Sequence, residues 1–294
     1  MTEHPNAAIY GKTIAELYQS GKLQLERAGV DSPAFDCMCI IEKVFSFSRA
    51  DLIARGDAPA SPKDTDEFTE LINRRLRFEP LQYILGQWSF MGYPFKVGRG
   101  VLIPREDTSE VVNLCADSAR GIENPAVLDL CSGSGAIAVV LSKIHKNSSV
   151  TAVETSAEAF CYLEENIRLN NAAVNAVKGD VFTCADDFDD CSFDIILSNP
   201  PYVSSGEIDD LQKEVKAEPI MALNGGSDGC DFYRFITANW KTKLKPGGLM
   251  AFELGENQFE YVKGLMLKNG LINIREKLDL GGIQRAIIGT LPEI

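Results

Sequence analysis

A chain of 294 residues has room for two domains, and its 45% hydrophobic share supports a sizeable core. No stretch approaches the roughly twenty apolar residues of a membrane span. The net charge of −13, split as −3 over residues 1–85 and −10 over the rest, argues against an affinity resting on nucleic-acid phosphates, which needs a basic stripe. Eight cysteines without a CxxC pair, and two histidines (His4 and His145), give no zinc spacing; reduced, mostly buried thiols and no metal are expected. The first residues carry neither a secretory nor a transit pattern, so cytoplasmic residence is the default.

In chain order, Ile14, Leu17, Tyr18 and Leu25 fall near helical spacing, with Gly29 as a stop. Asp31-Ser32-Pro33 and Ser61-Pro62 open two further helices, each with proline at the first helical position. Residues 1–83 therefore read as a small bundle of about four or five helices. From residue 84 the period changes, and alternation around Gly92 and Pro94 predicts a hairpin over 84–100 that joins two domains. After a helix carrying Val111, Val112, Leu114 and Cys115, residues 101–294 alternate strand and helix. The strands fall at 126–130, 150–153, 174–177 and 193–197, with helices at 136–145 and 157–170. Then come a helix over 233–244, a turn at Pro246-Gly247-Gly248, a strand over 249–254, a helix over 259–269 and two strands joined through Gly281-Gly282. Alternation of this kind predicts an α/β fold, Rossmann-like, with a mostly parallel sheet covered on both faces. The tight last connection makes the final pair antiparallel.

Leu128-Asp129-Leu130-Cys131-Ser132-Gly133-Ser134-Gly135 places a glycine-rich turn between a strand and a helix, where backbone approaches a ligand closely. Glu154 ends the next strand, where a carboxylate binds ribose hydroxyls. Gly133-x-Gly135-x-x-Ala138 also fits a dinucleotide site, but Asp129 shifts the balance. A carboxylate there suits an amino group or ordered backbone N–H groups, and pyrophosphate gains nothing from it. Asp180, after the third strand, suits an adenine amino group. The plain alternative is a tight turn and nothing more.

Leu197-Ser198-Asn199-Pro200-Pro201-Tyr202 is the more specific signal. Each proline drives its predecessor into extended geometry, so a stiff segment stands at a strand's carboxyl end, where open α/β sheets bind ligands. A planar –NH2 group is a poor nucleophile because its lone pair is delocalised. The Asn199 side-chain oxygen and the Pro200 carbonyl offer acceptors for its two hydrogens, and Tyr202 offers a ring to cover its face. Those acceptors also favour positive charge arriving on nitrogen. Orientation and electrostatics then carry most of the acceleration, with no general base before transfer.

Together these residues resemble the protein-glutamine methyltransferases that modify peptide-chain release factors, the PrmC or HemK family. The likeness runs through Arg74-Arg75, Glu79 to Ile84, Gly86 and Phe90, then Leu102-Ile103-Pro104-Arg105 and Asn199 to Tyr202. It continues in Glu218-Pro219, Ala222-Leu223, Gly225-Gly226, Glu253-Leu254-Gly255, Gln258, Asp279, Gly282 and Arg285. The resemblance implies a class I S-adenosylmethionine-dependent methyltransferase, with a seven-stranded sheet whose last strand is antiparallel, plus the N-terminal bundle. It implies S-adenosylmethionine as donor, S-adenosylhomocysteine as product, and the glutamine of a release factor's Gly-Gly-Gln loop as acceptor. Cys131 to Gly135 would cradle methionine and ribose, Glu154 the ribose hydroxyls, and Asp180 with Val181 the adenine. Asn199, facing both ligands, would hold the glutamine with Pro200, Pro201 and Tyr202, Phe90 would close one wall, and the bundle would bind the release factor.

Three departures stand out. Cys131 replaces a common glycine, which reads as one less strained turn position. Glu106-Asp107-Thr108-Ser109 differs from the usual Pro-Glu-Thr-Glu, so no role is carried onto it. The stretch from Cys184 to Cys191 is longer and more acidic than usual, which leaves partner contacts near the pocket mouth open. The competing readings are a glutamine methyltransferase of a ribosomal protein and an adenine-amino nucleic-acid methyltransferase using the same tetrapeptide on a flipped base. A nicotinamide oxidoreductase or a non-catalytic binding module would leave Asn199 to Tyr202 without a task.

Overall fold

The computed structural model describes residues 11–293; His4 lies outside them. Two compact units emerge: the chain up to Gly86 together with Lys213–Ala217, and Gln87–Gln212 together with Glu218–Ile294.

The first unit holds α1 (Ile14–Ala28), α2 (Pro33–Phe45), α3 (Arg49–Arg55), α4 (Pro62–Leu76) and α5 (Leu81–Leu85). Local chemistry sets their ends. Thr13 and Glu16 form a reciprocal capping box on α1, and Gly29 closes it at φ +79°. Pro33 and Pro62 sit in the first turns of α2 and α4, and Ser61 caps α4 by accepting from the Asp64 N–H. Leu17, Leu25, Ile40, Ile41, Phe68 and Ile72 are buried in this unit. Beside them Arg75 is 5% exposed, bonded through Nε to Asp36 at 2.6 Å and through a terminal nitrogen to Glu214 at 2.8 Å.

The second unit opens with the hairpin β1 (Gln87–Phe90) and β2 (Tyr93–Lys96), turning through Met91 and Gly92 at positive φ. Then follow α6 (Thr108–Ser118), β3 (Ala126–Leu130), α7 (Ala136–Ile144), β4 (Ser149–Glu154), α8 (Ala157–Leu169), β5 (Val174–Lys178) and β6 (Phe193–Ser198). After a loop with three short 3₁₀ turns come α9 (Asp231–Asn239), β7 (Leu244–Glu253), α10 (Phe259–Lys268), β8 (Ile272–Leu278) and β9 (Gln284–Thr290). The seven-stranded sheet runs β5-β4-β3-β6-β7-β9-β8, with β9 antiparallel to both neighbours and the other pairs parallel. Strand order reverses between β3 and β6, which opens a crevice at their carboxyl ends.

Two segments differ from the periodicity. The helix expected over 233–244 ends at Asn239, and Leu244 already pairs with Phe193. Pro246-Gly247-Gly248 lies within β7 as a bulge, because the β6 register steps from Phe193↔Leu244 to Ile195↔Leu249. The hairpin also differs from a mere passage: Phe90 and Phe95 are buried in the core beneath the sheet, with Val139 and Leu163.

Candidate active site

The turn after β3 is built by backbone that glycine adopts freely. Gly133 lies at φ +55° and Gly135 at φ +79°, and a Cβ on Gly135 would fall 2.5 Å from Leu163 Cδ1. Cys131 lies in the same left-handed region at φ +60°, so it is a strained position and not the relaxed one expected from replacing glycine. Glu154, 7% exposed at the end of β4, accepts from the Gly133 N–H at 2.8 Å and from the Ser156 N–H at 2.7 Å. Burial raises its carboxyl above the ordinary range, and the backbone N–H groups of Ser156, Gly133 and Thr155 pull it back. The turn thus arrives with a carboxylate already oriented beneath it.

Across the switch point, the segment after β6 is extended, so alternate residues face opposite ways. Asn199 and Pro201 line a cavity of about 520 Å³, while Pro200 is buried and Tyr202 is absent from the wall. The Asn199 amide donates from Nδ2 to Thr108 Oγ1 at 3.2 Å, which leaves Oδ1 as the acceptor. Tyr202 does not cover the cavity as expected: its phenol donates to Glu253 Oε1 at 3.4 Å, and its carbonyl accepts from Gln258 Nε2 at 2.9 Å. Burial pushes that phenol well up.

The cavity joins the two motifs. Cys131, Ser132, Gly133 and Ser134 form one side with Glu154, and Asn199 and Pro201 form another. Asp180, Val181 and Phe182 stand beyond the end of β5; Val181 O accepts from the buried Trp240 indole at 3.0 Å, and Phe182 packs at a tilt against Phe232 and edge-on against Phe235. A clasp closes the remaining side: buried Glu218 accepts from the Ile103 N–H at 2.9 Å and pairs with Arg105, joining segment 102–105 to 219–222.

Two further expected residues stay outside. Phe90 is 1% exposed, edge-on to Phe95 in the core, so Leu102 and Pro104 supply the wall assigned to it. Asp129 is fully buried and forms no part of the cavity. Neither of its oxygens has a well-formed hydrogen bond, and burial lifts it to about 7 despite the nearby Ser132 hydroxyl and Ala138 N–H. Gly135 also leaves the wall, serving as the N-cap of α7. The segment Cys184–Cys191 stays clear of the cavity as well; Cys191 and Asp190 bond to Thr242 and Lys243, in the short turn just before β7. Reading the sequence missed Thr108 and Glu218, although both belong to segments singled out there, because nothing local shows what a side chain meets 91 to 115 residues away. Among the described residues no cluster of potential metal ligands occurs, and no helix is long and apolar enough to cross a membrane.

Residues 16–86 match the PrmC N-terminal domain, and residues 113–226 match the methyltransferase small domain. The release factor glutamine methyltransferase of Geobacter sulfurreducens is 36% identical over 99% of this chain and 100% of its own length. That of Thermodesulfovibrio yellowstonii is 41% identical over 74% of this chain and 78% of its own length. Among solved structures, a methyltransferase from Pyrococcus furiosus superposes with a TM-score of 0.51 at 21% identity, covering 69% of this chain and 91% of that one. The hMettl16 catalytic domain bound to a MAT2A 3′UTR hairpin gives 0.57 at 15% identity, covering 79% and 83%. Both share the fold.

Proposed function

The chain belongs to the release factor glutamine methyltransferases, and from that premise we propose that its cavity holds S-adenosylmethionine against the glycine turn and an acceptor glutamine against Asn199. The reaction is methyl transfer to the side-chain amide nitrogen of the glutamine in a release factor's Gly-Gly-Gln motif. One observation carries the reading: Asn199, its amide fixed by Thr108, shares a single cavity with the glycine turn and Glu154.

The residues present suit the donor. A cavity of about 520 Å³ accommodates a nucleoside-sized ligand, with Glu154 for the ribose diol, Asp180 and Val181 for adenine, and Cys131 to Ser134 for the methionine portion. When bound, S-adenosylmethionine supplies a methyl group activated on a sulfonium sulfur. Asn199 Oδ1 accepts one amide hydrogen, which aims the nitrogen and favours the charge it acquires, whereas Pro200, outside the cavity wall, is given no part in holding the second. A neutral amide at 199 serves better than a carboxylate, which would pair with the sulfonium and hold the ground state. The N-terminal bundle, residues 1–83, serves to bind the release factor, residues 84–100 connect, and 101–294 carry the chemistry. Residence is cytoplasmic, and neither metal nor nucleic acid takes part.

Incubation with labelled methyl donor, a purified bacterial release factor, ribosomal proteins and duplex DNA side by side, followed by mass spectrometry, tests the assignment. Label is expected on the release-factor glutamine. Label confined to a ribosomal protein or to adenine overturns it. Asn199→Ala is expected to cut turnover while leaving donor affinity within about twofold, and equal loss of both removes the role given to Asn199.

A further inference from the structure

The acceptor segment is gripped from behind by a side chain that no step above uses. Gln258 stands at the N-cap of α10, where Ser, Thr, Asp or Asn would satisfy the first turn, yet its side chain makes no capping bond. It turns instead to the loops beside it. Nε2 donates to the Tyr202 carbonyl at 2.9 Å and to the Gly229 carbonyl at 3.3 Å, and Oε1 accepts from the Gly255 N–H at 2.9 Å. The partners fix which way the amide faces. Carbonyls only accept and a backbone N–H only donates, so a flipped amide would lose all three bonds.

Glycines line this grip. A Cβ on Gly229 would fall 2.3 Å from Tyr202 O, one on Gly225 2.6 Å from Pro201 O, and one on Gly255 2.9 Å from Tyr202 Cδ2. Three backbones therefore approach the segment more closely than any residue with a side chain could. The same loop joins the cavity wall: Val203 bridges to Asn224, which lines the cavity, and the Gly225 N–H donates to the Val203 carbonyl at 2.8 Å.

We propose that Gln258 is a positioning residue for methyl acceptance: by tying Tyr202 to Gly229 it pins the far end of the proline-locked segment and so sets where Asn199 stands in the cavity. Two anchors hold that segment. At the near end Ser198 is paired in register with Leu130 and Phe252, and its hydroxyl donates to the Leu130 carbonyl at 2.6 Å. At the far end Gln258 holds the Tyr202 carbonyl. Pro200 and Pro201 carry no N–H by which they could be held, and they keep Asn199 and Pro200 extended. A stiff run does not absorb a shift at one end; it passes the shift along. Loss of the far anchor therefore displaces Pro201 and Asn199, while Cys131 to Ser134 and Glu154, on the donor side of the cavity, stay in place.

The proposal rests on Asn199 as the acceptor-site residue and is tested with the full chain, S-adenosylmethionine and a release factor across pH 5.5–8, circular dichroism showing each variant folded at the assay temperature. Gln258→Met keeps the length of the side chain and removes its hydrogen bonds. It should lower kcat by about tenfold at every pH, the worth of one well-placed hydrogen bond, and keep donor affinity within about twofold. Gln258→Glu should lose at least as much at pH 8, where a carboxylate has no hydrogen for the two carbonyls. Protonation returns one donor, so its kcat relative to wild type should climb as pH falls. A purely structural role would not restore turnover in this way. Gln258→Met with the wild-type kcat overturns the proposal, as does either variant losing donor affinity in step with kcat, or a Gln258→Glu deficit that is constant with pH. Asn199→Ala run alongside separates the two claims. If it is silent, the acceptor-site reading fails; if it is inactive while Gln258→Met behaves as wild type, only the role of Gln258 fails.

Discussion

Cys131 carries a cost that its sequence position conceals. At φ +60° an L-residue pays roughly 1 kcal/mol, and a β-branched one more, because Cβ crowds the following carbonyl. Cys131→Val is expected to lower unfolding free energy by about 2 kcal/mol in urea titration, whereas Cys131→Gly leaves it within about 0.5 kcal/mol. Asp129 makes a second residue-scale prediction. Its folded pKa of about 7 stands above its ordinary 3.8, so its stability contribution is full below the lower value and is lost as pH rises through the upper one. Between pH 4 and 7, wild type should lose stability relative to Asp129→Asn, with a difference slope approaching ~1.4 kcal/mol per pH unit; parallel profiles would mean the carboxyl ionises freely. The sequence showed that both residues matter, since each lies in a strand–turn motif. It showed neither strain nor burial, because φ at 131 and the apolar layer over 129 are set by distant packing.

At the scale of elements, the strands, the glycine turn and the proline-locked segment were legible because each is local: continuous apolar runs, positive-φ residues and fixed φ. The extended geometry read from Pro200 and Pro201 even contains the reason why Asn199 and Pro201 share a face and Tyr202 does not, once period two is applied beyond the strand. The β7 bulge was illegible, since Pro246-Gly247-Gly248 is also a good turn and only pairing with β6 decides between them. The clasp between segments 102–105 and 219–222 was equally hidden, being a contact across more than a hundred residues. It invites a test. Arg105→Ala leaves the Glu218 carboxyl buried without its cation, at an expected cost of about 2–3 kcal/mol at pH 8. Burial already raises that carboxyl and Arg105 holds it down, so removing the guanidinium raises it further. The deficit should therefore shrink as pH falls and Glu218 takes a proton. Thermal melts at pH 8 and pH 5.5 decide, and a deficit that is constant with pH denies the pairing.

The chain divides into two compact units, and the sequence indicated the division through its change of period near residue 84 without showing that Lys213–Ala217 belongs with the helices. That excursion is fixed by charge. Arg75 serves Asp36 and Glu214 together, so Arg75→Ala strands two carboxylates in the helical unit, at a cost of roughly 3 kcal/mol. Every residue lining the cavity falls in the other unit. Calorimetry of the full chain should therefore move the two transitions separately. S-adenosylmethionine at a hundred times its dissociation constant stabilises the unit that binds it by about 2.7 kcal/mol, which raises the transition of the sheet unit. Arg75→Ala lowers that of the helical unit and leaves the ligand-induced shift intact. If the substitution instead abolishes the shift, the helical unit is needed to form the cavity, and the assignment of donor binding to the sheet unit alone is wrong.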